Sequence, residues 1–384
     1  MNKKIYWCLQ QLEFVGGTET VSIQLANMLV DQYDYDITFI VSFDSDLSKS
    51  PYKINPKIKI IQLGINKDLA RFDDNYKKYF RHGHIIKATK LLNSALGVFL
   101  FNPKKYRKQI NSLIKEDDIL ICSSIENYFL APNHKKTLFH FHFNSKGYFD
   151  PFTQFALKKS IKPYKYVFLC KETMEEVIKQ KPELENYLTY INNPCRFNLE
   201  ESFEYHNNTI SFIGRYSEQK NPLLALKVAK VLHERYKDLD FKLNFYGEGL
   251  LEKEMNDFVK WNKLKDCVNI NKPSQDIENI LRNSDLLLMT SKFEGLPLIK
   301  LEAGAKSLPT ISSNWGEPIH DIIENGKNGY IIDSNKPVDI AKQIYDILSS
   351  KEELLKLKKN TFEYEHKFNS QTILQFWDKL FKEM

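Results

Sequence analysis

Short runs rich in β-branched and aromatic residues alternate along the chain with segments whose apolar residues recur every three or four positions, and the alternation runs twice. Strand and helix patterns in that order build a doubly wound parallel sheet. In the first half the strand-like runs are 5–9, 36–43, 58–63, 119–123, 137–143, 166–170 and 188–191. Residues 18–30 read as an amphipathic helix with Val21, Leu25, Met28 and Leu29 on one face and Thr18 placed to cap its start. A polar stretch at 196–208 reads as a linker, and the pattern then restarts with strands at 210–213, 241–246, 268–270, 286–290, 310–312 and 330–332. Helices are expected at 222–236, 251–261, 277–282, 298–305 and 337–348, with Gly, Pro and Asn at many junctions. The pattern therefore predicts an α/β chain of two Rossmann-like domains, 1–203 and 204–384, whose last helix can pack back on the first domain. Tandem domains of this kind face a central cleft at the carboxyl ends of their sheets, where ligands bind.

Composition narrows the class. A length of 384 residues allows two or three domains at roughly 150 residues each, and the single restart of the pattern selects two. Apolar residues at 42% and charged residues at 27% exclude a disordered or collagen-like chain. Cys8, Cys122, Cys170, Cys195 and Cys267 include no CxxC and no close Cys/His pairing, which argues against a zinc site or a disulfide framework and for a reducing cytoplasm. The first residues lack the apolar core of a signal peptide, and no run approaches the roughly 20 apolar residues of a membrane-spanning helix.

The net charge of +6 is unevenly placed: 29 Lys/Arg face 21 Asp/Glu through residue 200, and 26 face 28 beyond it. Between Lys67 and Lys115 stand twelve basic residues against Asp68, Asp73 and Asp74. That stretch is either a solvated face or a dock for an anionic membrane surface or acceptor. Nucleic acid is not an expected partner, because no recognition motif or regular aromatic stacking platform accompanies the charge.

Three segments carry candidate chemistry. Gly16 and Gly17 follow the first strand and lead into a helix; adjacent glycines let a backbone approach an anion at a helix N-terminus, although a ligand-free crossover uses the same turn. In the run 212–222, FIGRYSEQKNP, a strand ends in Gly214, and Arg215 and Lys220 flank the entry to a helix. Two cations so placed suit a diphosphate, the arginine as a fork and the lysine as a mobile charge, and two surface cations also occur without a ligand. In the run 291–304, SKFEGLPLIKLEAG, Glu294 lies in the turn after a strand and Glu302 about two helical turns further on. Carboxylates are acceptors only, so such a pair selects the vicinal hydroxyls of a sugar and a ribose. Asp44-Ser45-Asp46 has the form of a metal-bridging DxD but follows the second strand of the first domain, and it reads as a loop.

Taken in order, these motifs resemble those of glycosyltransferase family 4, retaining enzymes of the GT-B fold. Residues 284–332 resemble that family's donor segment, with Glu294 and Glu302 meeting its Glu, seven residues, Glu signature; 212–222 resembles its diphosphate motif, 245–250 its Gly-acid-Gly turn, 192–194 its Asn-Pro segment, and Gly16-Gly17 its N-terminal loop. The resemblance implies that Arg215 and Lys220 hold the nucleotide diphosphate and Glu302 the ribose. It assigns the transferred sugar to Glu294 with the backbone of Gly295, Leu296 and Pro297, and sets His142 near that sugar, with His140 on the same strand face. Lys300, at a usually apolar position, and Ser307, where the family often has glycine, depart from the pattern.

The expected function is transfer of a hexosyl unit with retention of configuration. The donor is a nucleotide sugar, taken as a UDP-sugar, and the acceptor a surface-polysaccharide, lipopolysaccharide or lipid-linked glycan. No metal and no other cofactor is expected, and the expected location is cytoplasmic, at the inner face of the inner membrane. A nucleotide-sugar epimerase of the same fold and a catalytically silent glycan-binding subunit are the alternatives.

Overall fold

A computed structural model describes residues 4–13, 16–66, 85–86, 89–90, 103–159 and 163–384, without the side chains of residues 152 and 159. The chain divides into two compact units, Met1–Pro194 with Ile373–Met384, and Cys195–Thr372.

Seven strands form the sheet of the first unit: β1 (Lys4–Leu9), β2 (Asp36–Phe43), β3 (Lys59–Ile65), β4 (Ile119–Cys122), β5 (Thr137–Phe141), β6 (Lys165–Phe168) and β7 (Leu188–Tyr190), in the order β3-β2-β1-β4-β5-β6-β7. Every pairing is parallel. A parallel sheet is covered on both faces, so its strands are apolar on both sides rather than alternating; Ile119–Cys122 and Thr137–Phe141 are buried throughout. One face packs a core containing Phe43, Tyr128, Phe139 and Phe168. The other packs Trp7, Leu25, Phe39 and Val167 against Leu374, Trp377 and Phe381 of the Ser370–Glu383 helix.

Six strands form the second sheet: β8 (Thr209–Ile213), β9 (Lys242–Tyr246), β10 (Val268–Asn271), β11 (Leu286–Met289), β12 (Thr310–Ser313) and β13 (Gly329–Ile332), all parallel, in the order β10-β9-β8-β11-β12-β13. Its largest core joins Phe212, Phe245 and Leu288 to the Pro222–Arg235 and Pro337–Leu348 helices through Leu226, Ala229, Ile340 and Ile344. Strand order reverses direction beside β1/β4 in the first sheet and beside β8/β11 in the second, and in doubly wound sheets each such switch point is a place where ligands bind.

Three sequence expectations are corrected. The division falls at Pro194/Cys195 rather than at 203/204, while the C-terminal helix lies with the first unit, where it was expected to pack. The polar stretch 196–208 is a strap fixed to the second unit, not a linker. Glu200 pairs with Arg282 and Lys306, both at 2.8 Å, and its backbone N–H donates to the Ala305 carbonyl at 2.8 Å. Asp285, fully buried before β11, accepts the His206 and Thr209 backbone N–H groups at 3.0 Å and pairs with Lys358 at 3.2 Å. The stretch is polar because its partners are polar. Finally, Thr18 does not cap the first helix: that helix spans Gly17–Tyr33, its N-cap is Gly16, and the Thr18 side chain lies within its first turn.

Candidate active site

In the second unit the chain leaves β8 and β11, the two strands flanking the switch point, and each exit carries one candidate motif. The β8 exit, Gly214 to Lys220, is fixed by the loop beyond β9. Tyr216 N–H donates to the Glu248 carbonyl at 2.8 Å, Gly214 N–H to the Tyr246 carbonyl at 3.0 Å, and the Tyr216 hydroxyl to the Asn271 carbonyl at 2.7 Å. Glycines allow this approach. A Cβ on Gly247 would lie 2.0 Å from the Gly214 oxygen, and one on Gly249 would lie 2.3 Å from the Tyr216 oxygen. The Gly-acid-Gly turn thus sets the diphosphate motif in place.

From that loop Arg215 projects into solvent with no ion pair among the described residues, while Lys220 turns inward to the β11 exit, its ammonium 2.6 Å from a Glu294 carboxylate oxygen. The Ser291 hydroxyl donates to the same oxygen at 2.6 Å, and Glu294 is 8% exposed. Backbone bonds tie the two exits together: Lys292 N–H donates to the Gln219 carbonyl at 2.8 Å, and the Thr290 hydroxyl donates to the Asn221 carbonyl at 2.9 Å. Two motifs separated by 74 residues therefore form one site.

After Gly295 and Leu296, Pro297 forms the N-cap of the Leu298–Ala305 helix, whose Glu302 is buried. Burial pushes the Glu302 carboxyl above its ordinary range, and the Arg196 guanidinium, 2.7 Å away, opposes that shift. Arg196 was not legible as a site residue, because the polar stretch around it reads as a linker. Ser291 was missed as well, since a lone serine before the turn carries no pattern. The two departures from the family pattern have structural answers. Lys300 is buried and paired with Glu365 of the Lys351–Glu365 helix. Ser307 has φ +57°, a conformation that glycine adopts freely, and its hydroxyl holds the strap through the Glu200 carbonyl at 2.7 Å.

The remaining candidates lie in the first unit. Gly16 and Gly17 open the helix after β1, and the Tyr52 hydroxyl accepts the Gly16 N–H at 2.8 Å. Glu19, in the first turn of that helix, was missed by the sequence reading; burial, assisted by Glu126, pushes its carboxyl up to about 7. His142 follows β5. Its ring lies 4.1 Å from that of His140, which in turn meets Trp377 at 5.0 Å. Desolvation pushes His142 down to about 3 and His140 well below its ordinary value, so both rings are neutral at pH 7. Asp46 of the DxD-like triplet caps the turn that follows it, accepting from Ser48 N–H at 3.1 Å and pairing with Lys49 at 3.0 Å. Most of the basic stretch 67–115 lies outside the described residues. Within it, Arg107 turns inward, donating to the Phe129 carbonyl at 2.6 Å.

Two parallel-sheet Rossmann-like units in one chain are the GT-B architecture. Residues 199–364 match the family model described as glycosyl transferases group 1. Over 386 aligned residues the chain is 25% identical to an uncharacterised glycosyltransferase of Haemophilus influenzae, covering 98% of this chain and 99% of the relative. It is 22% identical, over 96% of each chain, to a Campylobacter jejuni alpha-1,4-N-acetyl-D-galactosaminyltransferase that acts on an undecaprenol-linked saccharide. Among solved structures it resembles a mutant of Staphylococcus aureus TarM in complex with UDP, with TM-score 0.73, 17% identity and 99% of each chain covered. It also resembles Anabaena HepE in complex with UDP and glucose, with TM-score 0.72, 13% identity and all of both chains covered. The chain is a glycosyltransferase of the GT-B fold.

Proposed function

We propose that the protein is a retaining family 4 hexosyltransferase that moves a sugar from a UDP-sugar to a surface-glycan or lipid-linked saccharide acceptor. The observation that carries the reading is the Lys220–Glu294 pair, because it joins a phosphate-type cation to a sugar-type carboxylate within one site. Arg215 and Lys220 meet the diphosphate, and their charges stabilise the negative charge that grows on it as the glycosidic bond breaks. They supply the positive charge a diphosphate needs, so the reading invokes no metal. Glu294, with the backbone of Gly295 to Pro297, orients the sugar hydroxyls, and Glu302 accepts from the ribose. The acceptor hydroxyl attacks from the face the diphosphate leaves, through an oxocarbenium-like state, and passes its proton to the departing diphosphate oxygen as the old glycosidic bond breaks, so no enzymatic nucleophile is required. His142, neutral throughout the working pH range, contributes a hydrogen bond and not a proton.

Two relatives named for transfer to undecaprenol-linked saccharides support the acceptor class. Structural neighbours solved with UDP support the donor. A lipid-linked acceptor gives the basic stretch 67–115 a role at the cytoplasmic face of the membrane, where anionic lipid attracts lysine and arginine. Sedimentation with vesicles is expected to require anionic lipid and to weaken at high salt; binding indifferent to both would leave only a solvated face.

The test of the site is turnover with UDP-hexoses, chosen from a thermal-shift screen of UDP, GDP, ADP and CMP sugars. Arg215→Ala and Lys220→Ala are each expected to lower kcat by roughly 10² to 10³, the scale of losing one preorganised charge-stabilising group. Unchanged rates in both variants would remove the assignment.

A further inference from the structure

Among the described residues Glu302 makes one side-chain interaction, and its partner is not on its own helix. Arg196 Nε donates to Glu302 Oε1 at 2.7 Å, with the arginine side chain 44% exposed and the glutamate 7%. Glu302 Oε2 is not among the sealed side-chain atoms, and among the described residues it has no hydrogen-bond partner, so one oxygen of the carboxylate is taken and the other is open.

The arginine is itself held. Its guanidinium lies over the Phe197 ring, 4.6 Å from the centroid, and the Lys306 ammonium lies 5.6 Å from the same centroid. Lys306 is fixed in turn by Glu200 at 2.8 Å, Glu278 at 2.6 Å and the Asn198 carbonyl at 3.2 Å. A phenyl ring flanked by two cations, one of them pinned by two carboxylates, restricts where the first can go.

We propose that Arg196 is a positioning residue of the nucleotide site. By binding Oε1 it keeps Glu302 ionised in a buried position and turns Oε2 toward the ribose hydroxyls of the donor. The inference rests on the ribose role given to Glu302 above. An acceptor for two hydroxyl donors must be a carboxylate, since a protonated carboxyl turns one oxygen into a competing donor. Burial works against the carboxylate, and the positive charge beside it is Arg196. The other titratable groups around this end of the helix do not substitute for it. Lys306 is engaged by Glu200 and Glu278, the buried Cys195 thiol is pushed up to about 12, and Lys300 points to Glu365. The guanidinium thus acts through Glu302 and need not touch the nucleotide.

Calorimetric affinities for UDP and 2′-deoxy-UDP at pH 6 and pH 8 test this in the full-length protein. Wild type is expected to prefer UDP by about tenfold or more at both pH values, the scale of a hydrogen bond to a charged group. Arg196→Met, which keeps the contact with Phe197, is expected to bring that ratio to within about twofold at pH 6 and to regain part of it at pH 8. Arg196→Lys is expected to keep most of the ratio at both. A ratio in Arg196→Met equal to that of wild type, or lost equally in Arg196→Met and Arg196→Lys without pH dependence, would overturn the inference. Glu302→Gln separates the two levels. If it leaves the UDP preference intact, the ribose assignment itself is wrong and the role of Arg196 falls with it; if it abolishes the preference while Arg196→Met does not, only the role of Arg196 fails.

Discussion

Glu19 and His142 are buried ionisable side chains of the first unit whose environments push them in opposite directions, and both follow from desolvation. The Glu19 carboxyl, ordinarily near 4.5, is raised to about 7, and the His142 ring, ordinarily near 6.5, is lowered to about 3. Each shift favours the neutral form, and each makes stability depend on pH. Glu19 favours the folded state fully below about 4.5, and that contribution is lost as pH rises through 7; the whole swing is about 3 kcal/mol. His142 contributes fully above 6.5 and loses stability as pH falls toward 3, by about 2 kcal/mol at pH 5, with His140 adding to the same slope. Glu19→Gln is thus expected to flatten the alkaline flank of the urea stability profile between pH 5 and 8, and His142→Gln the acid flank between pH 7 and 4. Flanks unmoved by either variant would mean that both groups reach solvent. Neither shift could be read from the chain, because each depends on the packing of residues distant in sequence.

The Leu298–Ala305 helix shows at the scale of one element what a pattern conveys and what it omits. Its limits and its proline entry followed from spacing, while the burial of Glu302 did not. Nor did its anchoring. Lys300 and Glu302 lie two residues apart, about 200° around a helix, so they face opposite sides. Glu302 meets Arg196, 106 residues earlier, and Lys300 meets Glu365, 65 residues later, while the Asn328 side chain donates to that Glu365 at 3.2 Å. No local periodicity reports partners so distant. Gly304 completes the contact, since a Cβ there would collide with the Glu365 carboxyl group. Lys300 and Glu365 are both 1% exposed. Removing one member of such a pair strands a buried charge, whereas removing both discards the desolvation cost as well. Lys300→Met is therefore expected to destabilise the second unit by about 3–5 kcal/mol in urea denaturation, and Lys300→Met with Glu365→Leu to recover most of the loss. A double variant no better than the single one would show that the pair contributes more than it costs.

The thirteen strands among the described residues lie within two residues of where apolar runs rich in β-branched and aromatic residues put them, because runs buried on both faces carry a strong local signal. The apportioning of chain between units was the harder problem. The last helix was expected to pack back on the first domain, but the polar stretch 196–208 put the boundary between the units several residues too late. The Ser370–Glu383 helix follows 175 residues of the second unit in sequence, yet Leu374, Trp377 and Phe381 join the core of the first, with Trp377 6.2 Å from Trp7 and 5.0 Å from His140. This arrangement makes the two units separately addressable. Trp377 is fully buried, and Trp377→Ala is expected to cost the first unit about 3–5 kcal/mol through lost contact and a cavity. UDP held by Lys220, Arg215 and Glu302 would act on the second unit instead, adding about 2.7 kcal/mol at a hundredfold excess over its Kd. Scanning calorimetry of wild type and Trp377→Ala, each with and without UDP, is expected to show one transition lowered by the substitution and another raised by the nucleotide. If UDP instead raised the transition that Trp377→Ala lowers, the nucleotide would be bound by the first unit, and the assignment of the diphosphate to the β8 and β11 exits would have to be abandoned.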